Sequence, residues 1–150
     1  MSKADETRVS SLLSQALGIT FENSTYKLDD WGAVDNWAEL GDGEFLFLEV
    51  ESGQKHPDTN VAKLWPYLEK HGRERIFLIQ AFFASSHNLE SNRGRLGEWV
   101  AKKLEAVFPG RFRYCKLVIQ DQMKPESFSC LSDEVKVFVA NKGCSNTNIV

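Results

Sequence analysis

Apolar residues recur at helical spacing in three stretches of the chain. In TRVSSLLSQALG, Val9, Leu13 and Leu17 fall on one face, and Gly18 supplies the conformation that ends a helix. The second stretch, PDTNVAKLWPYLEKHG, contains Pro66, which either kinks the helix or begins another short turn. The third is ESNRGRLGEWVAKKLEAVF. The pattern therefore predicts three helices.

Other stretches have the apolar pattern of strands. ITFENSTYKL alternates weakly, and GAVDNWAEL and EFLFLEVES are joined by Gly41-Asp42-Gly43, residues typical of a hairpin turn. RIFLIQAFF is a continuous apolar run, as in a strand buried on both faces, and FRYCKLVIQ and EVKVFVA predict two more strands. The order helix, three strands, helix, strand, helix, strand, strand predicts an α/β fold with a central mixed sheet flanked by helices.

Length and composition favour one domain over residues 1–150, because 150 residues with 42% apolar content suffice for one complete core. No apolar run approaches the roughly 20 residues of a membrane span, and MSKADETR lacks the layout of a secretory signal. We therefore expect a cytoplasmic protein without a membrane partner. The three cysteines form no metal-binding motif and are expected to be reduced thiols.

Charge is unevenly distributed along the chain. Residues 1–50 carry ten acids and three bases, whereas residues 51–120 carry seven acids and twelve bases. This asymmetry is compatible with a basic surface beside an acidic site, although charge alone favours ordinary solvated faces.

The stretch FLFLEVESGQKHP ends an apolar strand with two carboxylates. Because side chains alternate along a strand, Glu49 and Glu51 share one face with Phe45 and Phe47. If residues 41–43 form a three-residue loop, Asp35 lies opposite Glu49; a two-residue turn would place it opposite Val50. We expect the first register, which pairs Leu40 with Glu44, Trp37 with Phe47, Asp35 with Glu49 and Val34 with Val50.

Directly opposed carboxylates repel each other unless a cation lies between them. Mg²⁺ is bound by one or two carboxylates with waters and substrate phosphate oxygens, so Asp35 and Glu49 are candidate ligands. Glu51 is a candidate to orient or deprotonate a water, or to bind a second ion. The plain alternative is an exposed strand end with ordinary surface carboxylates.

An N-terminal helix, a hairpin with an Asp and an acid-x-acid pair, then a helix and a strand resemble the PD-(D/E)XK nuclease superfamily, which has the restriction-endonuclease-like fold. The resemblance covers roughly residues 5–120 and centres on Asp35 with Glu49-Val50-Glu51. It implies that Asp35 and Glu49 bind Mg²⁺ or Mn²⁺, with the Val50 carbonyl as a further ligand. It also implies a nuclease that hydrolyses phosphodiester bonds of nucleic acid, with DNA as the expected substrate.

The chain departs from the family pattern at Glu51, where most members have Lys. A Glu can hold or deprotonate water but cannot stabilise a phosphate, so Lys55 or Lys63 is expected to take that part. The PD dipeptide is also missing, and Asp29-Asp30 is a rival for the metal position.

The remaining candidates border the expected site. Glu6 is a candidate for an additional acid from the first helix. Candidate nucleic-acid contacts are Gln54, Lys55, Asn60, Arg93 and Arg95. A homodimer or partner is expected because one site cuts one strand. The alternative is an inactive member of the superfamily that binds nucleic acid or a protein.

Overall fold

The computed structural model describes residues 3–51, 56–86 and 89–141. Within these ranges helices and strands alternate along most of the chain. They are α1 (Lys3–Leu17), β1 (Tyr26–Lys27), β2 (Ala33–Val34), β3 (Asn36–Gly41), β4 (Glu44–Glu51), α2 (Thr59–Ala62), α3 (Leu64–Lys70), β5 (Arg75–Phe83), α4 (Asn92–Val107), β6 (Phe112–Ile119) and α5 (Ser129–Ala140). The prediction of an α/β fold is confirmed.

The main sheet has four strands in the order β3-β4-β5-β6. β3 runs antiparallel to β4, whereas β4, β5 and β6 are mutually parallel, so the predicted mixed sheet is confirmed. β1 and β2 pair separately as a small two-stranded sheet. Because parallel strands in register present the same face, the side chains of Glu49, Gln80 and Lys116 line up across one face of the sheet.

The strongly apolar β4 separates two core layers. Phe45 and Phe47 pack with α2, α3 and α4 on one face of the sheet. Leu46, Leu48 and Val50 pack with α1 and α5 on the other. The predicted alternation of β4 side chains is therefore confirmed, and it directs Glu49 and Glu51 toward the α2 side. None of the helices in the described ranges is long and apolar enough to cross a membrane.

The hairpin matches the expected register in its middle and differs at both ends. Trp37 pairs with Phe47 as predicted. The expected pair Leu40 with Glu44 is wrong: an irregularity after Glu39 lets Gly41 pair with Glu44.

The expected pair Val34 with Val50 is also wrong, since Val34 pairs with Tyr26 in the small sheet. The predicted strand GAVDNWAEL is thus broken at Asp35, between β2 and β3.

Two other predicted elements differ from the structure. EVKVFVA is not a strand but the second half of α5, because Leu131, Val135 and Phe138 recur at helical spacing and are buried together. In ITFENSTYKL only Tyr26–Lys27 is a strand. The predicted second helix divides into α2 and α3 before Pro66, which occupies the first turn of α3, where proline is tolerated.

Candidate active site

Two carboxylates are buried at the end of β4. Glu49 is 8% exposed and Glu51 is fully inaccessible to solvent. Their side chains occupy alternate positions of β4 on the face covered by α2, α3 and α4. Because an isolated buried charge is strongly unfavourable, each carboxylate needs a partner at this position.

Lys63, at the break between α2 and α3, is the partner of Glu49. Its Nζ donates to Glu49 Oε1 at 2.7 Å, to the Ala33 carbonyl at 2.8 Å and to Asn60 Oδ1 at 3.1 Å. These three contacts match the three donors of an ammonium group. The predicted catalytic residue Lys63 therefore lies beside the predicted metal ligand Glu49.

Glu51 is held by α2 through Asn60, whose Nδ2 donates to Glu51 Oε1 at 2.5 Å. The other oxygen, Oε2, is buried and accepts no well-aligned hydrogen bond from the described residues, although the Gln80 amide lies near this carboxylate. Asp58 likewise has one carboxylate oxygen without a described partner. Its Oδ1 is buried and accepts no hydrogen bond from the described residues, whereas its Oδ2 lies 3.3 Å from Arg93 Nη1. The site thus contains two buried carboxylate oxygens with unused acceptor capacity.

Burial alters the protonation of both glutamates. Desolvation is the main cause that raises the pKa of Glu49 to about 7; Lys63 opposes this shift, and the negative charges of Glu51 and Asp35 add to it. Burial also raises the pKa of Glu51, against the hydrogen bond from Asn60. Both carboxyl groups therefore favour an added proton or an added cation more strongly than exposed glutamates do.

Asp35 lies beside this pair but outside the sheet. It is exposed in the bend between β2 and β3, and the ladder with β4 begins one residue later, at Asn36 opposite Leu48. Its charge is near enough to raise the pKa of Glu49. Asn36 also donates to Glu6 Oε1 of α1 at 2.8 Å, so the candidate Glu6 contacts the residue next to Asp35.

The rival acid Asp29 is engaged elsewhere. Its Oδ2 lies 2.7 Å from His71 Nε2 and 3.8 Å from Lys70 Nζ. Asp35, whose charge acts on Glu49, is therefore the better-placed candidate.

Gln80 is a site residue that the sequence interpretation missed. It is fully buried in β5, accepts from Tyr114 Oη at 2.7 Å and donates to the Pro57 carbonyl at 3.0 Å. It also lies close enough to Glu51 to lower that residue's pKa. The available signal was one polar residue inside the apolar run RIFLIQAFF.

The other predicted site residues are distributed around this cluster. Val50 pairs with Ala81, and its side chain lies in the core on the opposite face of the sheet. Arg93 contacts Asp58, whereas Arg95 is 69% exposed and lies 4.0 Å from Glu90. Gln54 and Lys55 lie outside the described residues.

The carboxylates near the end of β4 are of the type that Mg²⁺ binds, but within the described residues they do not form a complete set of metal ligands. Among residues 3–51, 56–86 and 89–141, no three acidic, histidine or cysteine side chains form a group that could hold a metal ion. Mg²⁺ needs only one or two protein carboxylates when waters and a substrate phosphate complete its shell. Asp35 and Glu49 supply two carboxylates, the charge of Asp35 acts on Glu49, and the buried Oε2 of Glu51 accepts no hydrogen bond from the described residues.

Comparison of the chain with known proteins finds no similar family, protein or structure. The chain matches no protein-family model, no curated protein and no solved structure.

Proposed function

We propose that the chain is a metal-dependent nuclease of the PD-(D/E)XK type, with a restriction-endonuclease-like core, that hydrolyses phosphodiester bonds of nucleic acid. The observation that carries the proposal is the contact of Lys63 Nζ with Glu49 Oε1 at 2.7 Å. A lysine at the break between α2 and α3 thereby reaches Glu49 of β4, although the expected lysine position is occupied by Glu51. The acidic pair and a lysine are thus combined in one site.

Each described residue has a part in this proposal. Asp35 and Glu49 would hold Mg²⁺ or Mn²⁺, which supplies a polarised phosphate and a bound water of lowered pKa. Lys63 contacts Oε1 of Glu49. From this position its positive charge would stabilise the negative charge that develops on the phosphate. Glu51, whose pKa is raised by burial, is a stronger base than an exposed glutamate and would accept a proton from water.

The alternative is a catalytically inactive protein of the same type that binds nucleic acid or a protein partner. One observation favours it: Lys63 already neutralises Glu49 and uses all three of its donors within the protein. In that case the ion pair is structural and needs no metal. Metal binding therefore distinguishes the two functions.

The test combines Mn²⁺ titration with cleavage assays on single- and double-stranded DNA and RNA. We expect Mn²⁺ binding at millimolar concentration and a loss of cleavage of at least about 100-fold in Glu49→Gln and Glu49→Ala. Glu126→Gln is the matched control, since that glutamate is exposed in a turn before α5. Cleavage that survives both Glu49 variants would reveal a contaminating nuclease, and failure to bind Mn²⁺ would favour the inactive alternative.

A further inference from the structure

The outer face of α4 is basic. Its exposed positions include four cations and no acid: Asn92, Arg93, Arg95, Leu96, Trp99, Lys102, Lys103, Ala106 and Val107. The two glutamates of α4 are partly buried: Glu98 lies 3.4 Å from Lys116 of β6 and 3.9 Å from Lys102 of α4 itself, and Glu105 lies 3.4 Å from Arg113 of β6. The surface that solvent reaches on this helix therefore complements a polyanion, although the chain as a whole carries a net charge of −3.

Trp99 lies in the middle of this basic face. Its side chain is 57% exposed, and Lys103 Nζ lies 5.1 Å from its ring centroid. Leu96, one turn earlier, is 48% exposed. An exposed indole among cations has the features of a platform on which a nucleic-acid base stacks while lysine and arginine contact the phosphates.

The basic face of α4 is continuous with the candidate active site. Arg93 contacts Asp58, and a Cβ added at Gly97 would lie 3.2 Å from Asp58 Cα, so α4 packs directly against the start of α2. Asp58 in turn acts electrostatically on Glu51. Gly97 and Lys103 are about 9 Å apart along the helix axis, which is less than two helical turns.

We propose that the outer face of α4 binds single-stranded nucleic acid, with one base stacked on Trp99 and phosphates paired with Arg95, Lys102 and Lys103. A duplex keeps its bases stacked internally and offers no free face to an indole, whereas an unpaired strand does. Lysine is depleted in protein interfaces, so two lysines beside Trp99 favour nucleic acid over a protein partner. The link from this surface to strand cleavage rests on the proposed nuclease function, but the binding does not.

The test measures binding of an oligothymidine strand in EDTA, where metal-dependent cleavage cannot occur. Fluorescence anisotropy should show tighter binding of this strand than of a duplex of equal length. Trp99→Ala should weaken single-strand binding about 5- to 150-fold, and Trp99→Phe should retain most of it. Val137→Ala, a change at an equally exposed apolar residue on α5, should have no effect.

The phosphate contacts have a separate readout. Lys102→Gln with Lys103→Gln should lower the slope of log affinity against log salt by about 1.4, since each single-strand phosphate contact contributes about 0.7. Lys3→Gln with Lys136→Gln, which removes two exposed lysines on α1 and α5, is the charge-matched control.

Equal single-strand affinity in the wild type and Trp99→Ala would overturn the inference, as would preferential binding of the duplex or no binding at low salt. Trp99-dependent binding without metal-dependent cleavage would support the inference while the nuclease proposal fails. If cleavage required Glu49 but binding did not depend on Trp99, the nuclease proposal would be supported and the inference about α4 would fail.

Discussion

At the scale of single residues, Lys63 connects the parts of the candidate site. Its ammonium group contacts β4 through Glu49, the carbonyl of Ala33 in β2 and Asn60 in α2. Its stem passes Gly32, where an added Cβ would lie 3.9 Å from Lys63 Cδ. One side chain therefore holds together three segments and sets the charge beside Glu49.

Replacement of Lys63 by Met keeps most of the apolar stem and removes the charge. Since Lys63 lowers the pKa of Glu49, we expect that pKa to rise above its wild-type value of about 7. Cleavage at neutral pH should fall at least about 100-fold, and the acid limb of the pH–rate profile should move to higher pH. Steady-state kinetics across the pH range provide the measurement.

Lys70→Met is the control for this change, because Lys70 is 67% exposed and pairs with Asp29. A merely structural role for Lys63 would lower the amount of folded protein without moving the pH profile. An unchanged profile in Lys63→Met would therefore contradict the assignment.

Residues were predictable where their position follows from strand alternation. Glu49 and Glu51 could be assigned to one face because they follow Phe45 and Phe47 at every second position. Gln80 could not be assigned, since its importance comes from the Pro57 carbonyl and from Tyr114, which are distant in sequence. These contacts of Gln80 depend on how β5 packs beside β6 and against the segment before α2, and no local sequence pattern encodes that packing.

At the scale of elements, the site depends on how α4 packs against α2. Gly97 is buried at their contact, and the space for a Cβ there is limited by the Asp58 backbone. α2 carries Asn60, and Lys63 follows directly, so a shift of α2 would move both contacts to the glutamates. The spacing between these two helices therefore controls the geometry of the site.

Gly97→Leu should separate α2 from α4 and disturb the site. We expect the unfolding free energy to fall by about 1–3 kcal/mol, the usual range for overpacking. Cleavage should fall further than the loss of folded protein explains, because Asn60 and Lys63 move. Ala106→Leu, on the exposed face of the same helix, should change stability by less than about 0.5 kcal/mol. Equal urea unfolding curves for the two variants would contradict this account.

Element types were predictable where the apolar pattern was long and unambiguous. RIFLIQAFF and the α4 stretch gave a strand and a helix, as expected. The prediction of a strand for EVKVFVA was wrong because the alternation of this segment also fits a strand. In the structure the segment continues the helix that begins at Ser129, and Leu131, Val135 and Phe138 are buried on one face of that helix. The bend at Asp35 was also missed, since Val34 pairs with Tyr26 instead of continuing beside β4.

At the scale of the whole molecule, the buried glutamates couple folding to pH. An acid whose pKa is raised in the folded state binds its proton more tightly there than in the unfolded chain. Stability is then fully present below the unfolded pKa, about 4.5 for Glu49, and is lost as pH rises through the folded value of about 7. The metal-free protein should therefore become less stable over this window, by on the order of 3 kcal/mol from Glu49, and Glu51 acts in the same direction.

Mn²⁺ should oppose this loss, because a metal binds the ionised carboxylate and competes with the proton. We expect millimolar Mn²⁺ to stabilise the protein little at about pH 5 and clearly at about pH 8, as measured by urea unfolding. Glu49→Gln cannot ionise, so it should lose less stability on raising the pH and should gain none from Mn²⁺. If Mn²⁺ stabilised the wild type equally at both pH values, or if Glu49→Gln responded like the wild type, Glu49 would not be the group that exchanges a proton for a metal. A positive result would identify the buried end of β4 as a cation site through the folding equilibrium alone, independently of any substrate.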